Sequence, residues 1–152
     1  MRTANFETTV QWIMPVVVAM TIILPASLIK EPARQKVMAV FLAGAGAAYL
    51  SGGGFGLWEM AFCAVLSVCA YYGLRSYRMI GIGWLLHTGW DVLHHLYGNP
   101  VLPSDPTSSL GCAICDPIIA VWCFAGAPSF REIFGKKSES GNVHGFRQPQ
   151  EL

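Results

Sequence analysis

Three carboxylates, Glu59, Asp91 and Asp116, lie inside apolar stretches of this 152-residue chain, together with His87, His94 and His95, three of its 4 histidines. No Lys or Arg falls deep in those stretches. An ionised carboxylate buried without a partner is very costly, so such groups normally face a protein interior and serve a function. At about 100° per residue, His87, Asp91 and His94 share a sector of roughly 60° on one helix face, with His95 about 40° further round. His87 and His94 are roughly 10.5 Å apart along that axis, a long span for two imidazoles of one straight helix to share an ion. His87 with Asp91, or Asp91 with His95, is the easier pair. The expected metal ligands are Asp91 with His94 or His95, completed by Glu59 or Asp116 from neighbouring helices. His87 then acts as an acid/base or supporting group, and the catalytic pair is His87 and Asp91. Three adjacent carboxylates cannot all ionise uncompensated. Protons, imidazolium groups or a divalent metal can compensate them, and mixed His and carboxylate ligands suit Zn, Fe or Mn. Such an ion also activates water as a hydrolytic nucleophile. The same residues equally suit a metal-free proton, ion or ligand site, or hydrogen bonds that only cross-link helices.

Cys112 and Cys115 form a Cys-x-x-Cys directly before Asp116-Pro117. The spacing permits metal ligation, a redox pair or a short-range disulfide, and equally two small residues packed near a helix start. Asp116 also has the type and place of a helix cap. Cys63, Cys69 and Cys123 read as core residues. Between Tyr97 and Ser109, Pro100, Pro103 and Pro106 stiffen a loop that would cover the polar cluster as a lid, with Asp105 and Thr107 as turn residues.

The elements that must carry these groups are membrane helices. The composition is 53% hydrophobic and 12% charged, against about 25% charged in soluble domains. A net charge of +1 suggests no nucleic-acid partner. A crossing helix needs about 20 mostly apolar residues, and the expected spans are about 10–29, 37–51, 57–74, 79–97 and 110–127. The expected fold is an all-α polytopic bundle of about five transmembrane helices over residues 1–134, with a disordered cytoplasmic tail at 135–152. Pro15 and Pro25 would kink the first span, and Gly44 to Ala48 would admit a close neighbour. With the N-terminus outside, all of the 10 Lys and Arg residues except Arg2 fall on the inside, which fixes the orientation. Glu59, Asp91, His94, His95 and Asp116 then share the outer half of the bilayer, with His87 near its middle.

The run Trp84-Leu85-Leu86-His87-Thr88-Gly89-Trp90-Asp91-Val92-Leu93-His94-His95, followed by Gly98-Asn99-Pro100 and Cys112-Ala113-Ile114-Cys115-Asp116-Pro117, resembles a family of small bacterial membrane proteins catalogued as a domain of unknown function. That resemblance implies a multi-span protein of the bacterial inner membrane and no particular activity. A looser similarity, in the His-x-x-x-Asp element alone, is to membrane metal hydrolases of the ceramidase and adiponectin-receptor type, whose seven-span layout and second His motif are absent here. The expected function is a membrane metal-dependent hydrolase acting on a lipid or amphipathic substrate. The competing class is a proton- or cation-coupled transporter, or a small-ligand-binding membrane protein. Membrane lipids are the expected partners; nothing demands a soluble one, and a homo-oligomer is compatible with the sequence.

Overall fold

The computed structural model describes the backbone of residues 2–132 and the side chains of residues 11–132. The described chain is all-helical: α1 spans Arg2–Leu28, α2 Ala33–Gly46, α3 Leu57–Gly73, α4 Tyr77–Tyr97 and α5 Ser108–Phe124. A short helical segment opens at Phe130. The expected tail at 135–152 lies outside the described residues.

Glycine and proline place the ends of these elements. α2 starts directly after Pro32 and stops at Gly46, short of the expected Ser51. The chain then turns through Gly52, Gly53, Gly54 and Gly56, of which Gly54 (φ 99°) and Gly56 (φ 60°) adopt left-handed conformations that side chains disfavour. α1 runs unbroken through Pro15 and Pro25. α5 begins at Ser108, so Asp116 and Pro117 lie more than two turns inside it, and Asp116 is not a cap.

The core sits where α2, α3, α4 and α5 meet, around Met38, Leu42, Leu66, Ile80, Ile119 and Cys123. Small residues bring the helices together. A Cβ on Gly46 would stand 2.8 Å from Leu66 Cβ, and one on Gly83 would collide with Leu42. Gly44 has open space beside it, so within the Gly/Ala stretch of α2 the close approach belongs to Gly46. α1 packs chiefly on α5.

The two ends of the bundle differ in charge. At one end the 29–32 and 74–76 connectors meet the chain after α5, bringing together Lys30, Glu31, Arg34, Tyr77 and Arg131. Gln35 Nε2 donates to the Gly73 carbonyl there at 2.9 Å. At the other end the α2–α3 turn is clamped to the loop after α4. Asn99 N donates to Gly53 O at 2.8 Å, and Asn99 Nδ2 donates to Gly52 O at 2.8 Å.

Only α1, among the described helices, is both long and apolar enough to cross a membrane. Its stretch Gln11–Leu28 has a mean hydropathy of 1.8 and is 28% buried. α3 and α5 are apolar but have 17 residues each. α2 has 14, and α4, at 21, is diluted by its histidines, Asp91 and Arg78. Length and composition therefore support one span of the five expected.

Candidate metal centre

α4 supplies most of the polar groups, and its helical period sorts them. His87, Asp91 and His94 are buried, at 4%, 0% and 1% exposure, whereas His95 is exposed. One residue further round the helix is enough to turn His95 out of the bundle.

His87 sits at the centre of the first group. Its Nε2 lies 3.0 Å from the Ala45 carbonyl oxygen, which only accepts, so Nε2 carries a proton and donates. Nδ1 is thereby aimed at two carboxylates, 2.9 Å from Asp91 Oδ2 and 2.7 Å from Asp116 Oδ2. Asp91 Oδ1 accepts from the Tyr49 hydroxyl at 2.7 Å. A hydroxyl has one proton, so Tyr49 accepts from Ser109, whose Oγ stands 2.8 Å away and itself accepts from Val101 N at 3.1 Å. A continuous hydrogen-bonded chain thus runs from the loop after α4 to the imidazole.

Glu59 and His94 form a second, separate pair. His94 Nδ1 donates to the Trp90 carbonyl at 2.9 Å, which points Nε2 at Glu59 Oε1, also 2.9 Å away. Glu59 further accepts from Phe55 N at 3.1 Å and from Trp90 Nε1 at 3.2 Å. It lies in the first turn of α3, where the helix dipole favours a negative charge. The Tyr49 ring stacks on His94 with centroids 3.6 Å apart, and so touches both groups. Gly53 leaves no room for a Cβ beside Glu59 and His94.

The expectation gathers Glu59, His94 or His95 with Asp91 around one ion; the structure pairs Glu59 with His94 and leaves His95 exposed. Among the described residues, His87, Asp91 and Asp116 are the group whose potential ligand atoms lie within 4.8 Å of one another, and all three are buried. They can hold a metal ion. His87, expected as an acid/base or supporting group and not as a ligand, is central because Nε2 is tied to Ala45. The sequence does not single out Tyr49 or Ser109: Tyr49 falls within the apolar run expected as a span over 37–51, and its one signal is a phenol just before Gly52-Gly53-Gly54.

Two further features border this group. The cysteines are all free, with Cys115 buried and Cys112 half-buried. Both line a cleft of about 470 Å3 between α1, α5 and the loop after α4, along with Met14, Pro15, Val18 and Leu102. Asp105 accepts from Thr107 N and Thr107 Oγ1, each at 2.8 Å, which makes these two residues a turn at the cleft's mouth. Trp84 Nε1, one turn before His87, is buried without a hydrogen-bond partner among the described residues.

The sequence model of a family described as a family of unknown function, DUF6010, matches residues 10–129. No curated protein and no solved structure matches the chain.

Proposed function

The chain belongs to that family of unknown function, and we propose that it is a multi-pass membrane protein whose His87, Asp91 and Asp116 bind one divalent cation for hydrolysis of a lipid or amphipathic substrate. The observation that carries this reading is the charge and orientation of the donor set. Two buried carboxylates face one imidazole nitrogen whose partner nitrogen is tied to a carbonyl. Metal-ligating histidines are typically held in this way. Two aspartates, a neutral imidazole and a divalent ion sum to zero charge; without the ion, neutrality needs about two protons, so binding releases them. The present contacts are hydrogen-bond distances, and ligand atoms around a tetrahedral ion stand roughly 3.3 Å apart, within reach of small rotations. Zn, Fe or Mn suits the donors.

An ion bound here supplies Lewis acidity and activates water. Tyr49 holds Asp91 in place and can pass a proton between Ser109 and the carboxylate. The apolar cleft beside Cys112 and Cys115 suits a chain-bearing substrate entering sideways between α1 and α5. The membrane reading is supported by the exposed apolar faces of every helix, among them Trp12, Val40, Val68, Leu85 and Val121. It places the basic end of the bundle in the cytoplasm.

The hydrogen-bonded chain from Val101 to His87 favours a second reading, a cation/proton-coupled transporter using the same three residues. Chelator-free purification followed by metal analysis tests both. The wild type is expected to carry one equivalent of metal, and Asp116→Asn and Asp91→Asn are expected to lose it. Absence of metal in the wild type sinks both forms of the idea. Metal-dependent cleavage of fluorogenic lipids in nanodiscs supports the hydrolase; metal-dependent proton flux in liposomes without cleavage supports the transporter.

A further inference from the structure

A second cavity, of about 390 Å3, lies at the opposite end of the bundle, between the α1–α2 connector and the segment after α5. Lys30, Arg34 and Arg131 line it with Glu31 and Glu132, so bases outnumber acids. Arg34 is the unusual member, being only 3% exposed. Its Nε donates to Glu31 Oε1 at 2.7 Å, and its Nη2 is 3.7 Å from Glu132 Oε2. Its Nη1 is buried and has no partner among the described residues.

Glu31 meets Arg34 through Oε1, which takes both Arg34 Nε and the Tyr77 hydroxyl, the latter at 2.6 Å, and it does not reach Nη1. Burial opposes the charge on Arg34, but hydrogen bonds with Glu31 and Tyr77 outweigh it and raise the pKa. The guanidinium is therefore a permanent buried cation with unused N–H groups in a cavity wall. A charged donor left unpaired is destabilising. A tetrahedral oxyanion suits the guanidinium fork, which pairs bidentately with phosphate. Lys30 and Arg131 are both exposed and can close on it from the rim.

We propose that this cavity binds a phosphate group, with Arg34 as the buried anchor and Lys30 and Arg131 as the rim. The phosphate belongs either to an anionic lipid headgroup at the basic end of the bundle or to a free phosphate. The site shares no residue with the His87 group, so it stands or falls independently of the metal reading.

The test uses the full chain in maltoside micelles, whose headgroup carries no phosphate. Thermal unfolding is followed while inorganic phosphate, phosphatidylglycerol or, as an ionic-strength control, chloride is titrated in. A saturable rise in Tm is expected with at least one phosphate source and not with chloride. Phosphate acting alone identifies a free oxyanion, and phosphatidylglycerol acting alone identifies a headgroup; either supports the site. Lys30→Gln and Arg131→Gln are each expected to raise the midpoint roughly fivefold, from the about 1 kcal/mol that a base contributes near an anionic surface. Arg34→Lys keeps the charge but not the fork, and is expected to weaken binding at least as much. Should Arg34→Lys fail to fold, the two rim variants carry the test. A response equal to that of chloride, or unchanged midpoints in the rim variants, overturns the proposal.

Discussion

Tyr49 is the side chain on which the two polar groups converge: its hydroxyl serves Asp91 and its ring covers His94. Tyr49→Phe keeps the ring and removes the donor. It is expected to cost about 1–3 kcal/mol, the range for a buried acceptor left unsatisfied. It is also expected to weaken metal binding roughly 10–100-fold, as loss of a ligand's supporting hydrogen bond does. Competition with a chromophoric chelator measures the second effect; unchanged affinity would reduce Tyr49 to packing. His95→Ala, at an exposed position, is expected to match the wild type in the same assay. The sequence shows which residues are ionisable and that three neighbouring helices carry them. It did not separate Glu59–His94 from His87–Asp91–Asp116, because that division depends on which carbonyl ties up which imidazole nitrogen. Ala45 and Trp90 perform that task with backbone atoms, which no residue type discloses.

At the scale of the helix, one glycine is not like another. A Cβ on Gly46 meets Leu66, whereas one on Gly44 meets nothing within 4 Å. Gly46→Ala is expected to destabilise by about 1–3 kcal/mol through overpacking. Gly44→Ala is expected to be neutral or to stabilise by up to about 1 kcal/mol through helix propensity. Unfolding of both variants in one detergent checks the contrast. The helices themselves were readable from apolar runs between Pro and Gly punctuation. The end of α2 was not, because Ala47, Ala48 and Tyr49 continue the apolar pattern after the chain has begun to turn.

The contact joining α4 to the α1–α2 connector makes a pH-dependent prediction. Burial, then the hydrogen bond to Glu31, raises the Tyr77 pKa above the ordinary 10.0. Above about pH 10 the unfolded chain has released a proton that the folded chain retains, so stability falls as pH rises through that window. Tyr77→Phe lacks this contribution. It is expected to be about 1 kcal/mol less stable at neutral pH and to show a shallower alkaline decline in pH-dependent unfolding.

For the molecule as a whole, the proposed topology is directly testable. In a background lacking the 5 native cysteines, Ser104→Cys is expected to react with an impermeant thiol reagent on intact cells, and Lys36→Cys only after lysis. The reverse pattern would invert the bundle, and equal labelling of both would remove it from the membrane. On the same reading, the spacing of His87 and Asp91 bears on biosynthesis. The two sit one turn apart on α4, at 2.9 Å, and Glu59 meets His94 at the same distance between α3 and α4. Asp91 can therefore enter lipid already matched to a base during synthesis, whereas Glu59 on α3 is matched only when α4 follows. Asp116 comes last, on α5, and meets a His87 that α4 has already placed. The order of translation thus becomes the order of assembly, and a nascent chain cannot hold an ion with all three residues until the ribosome has passed Asp116.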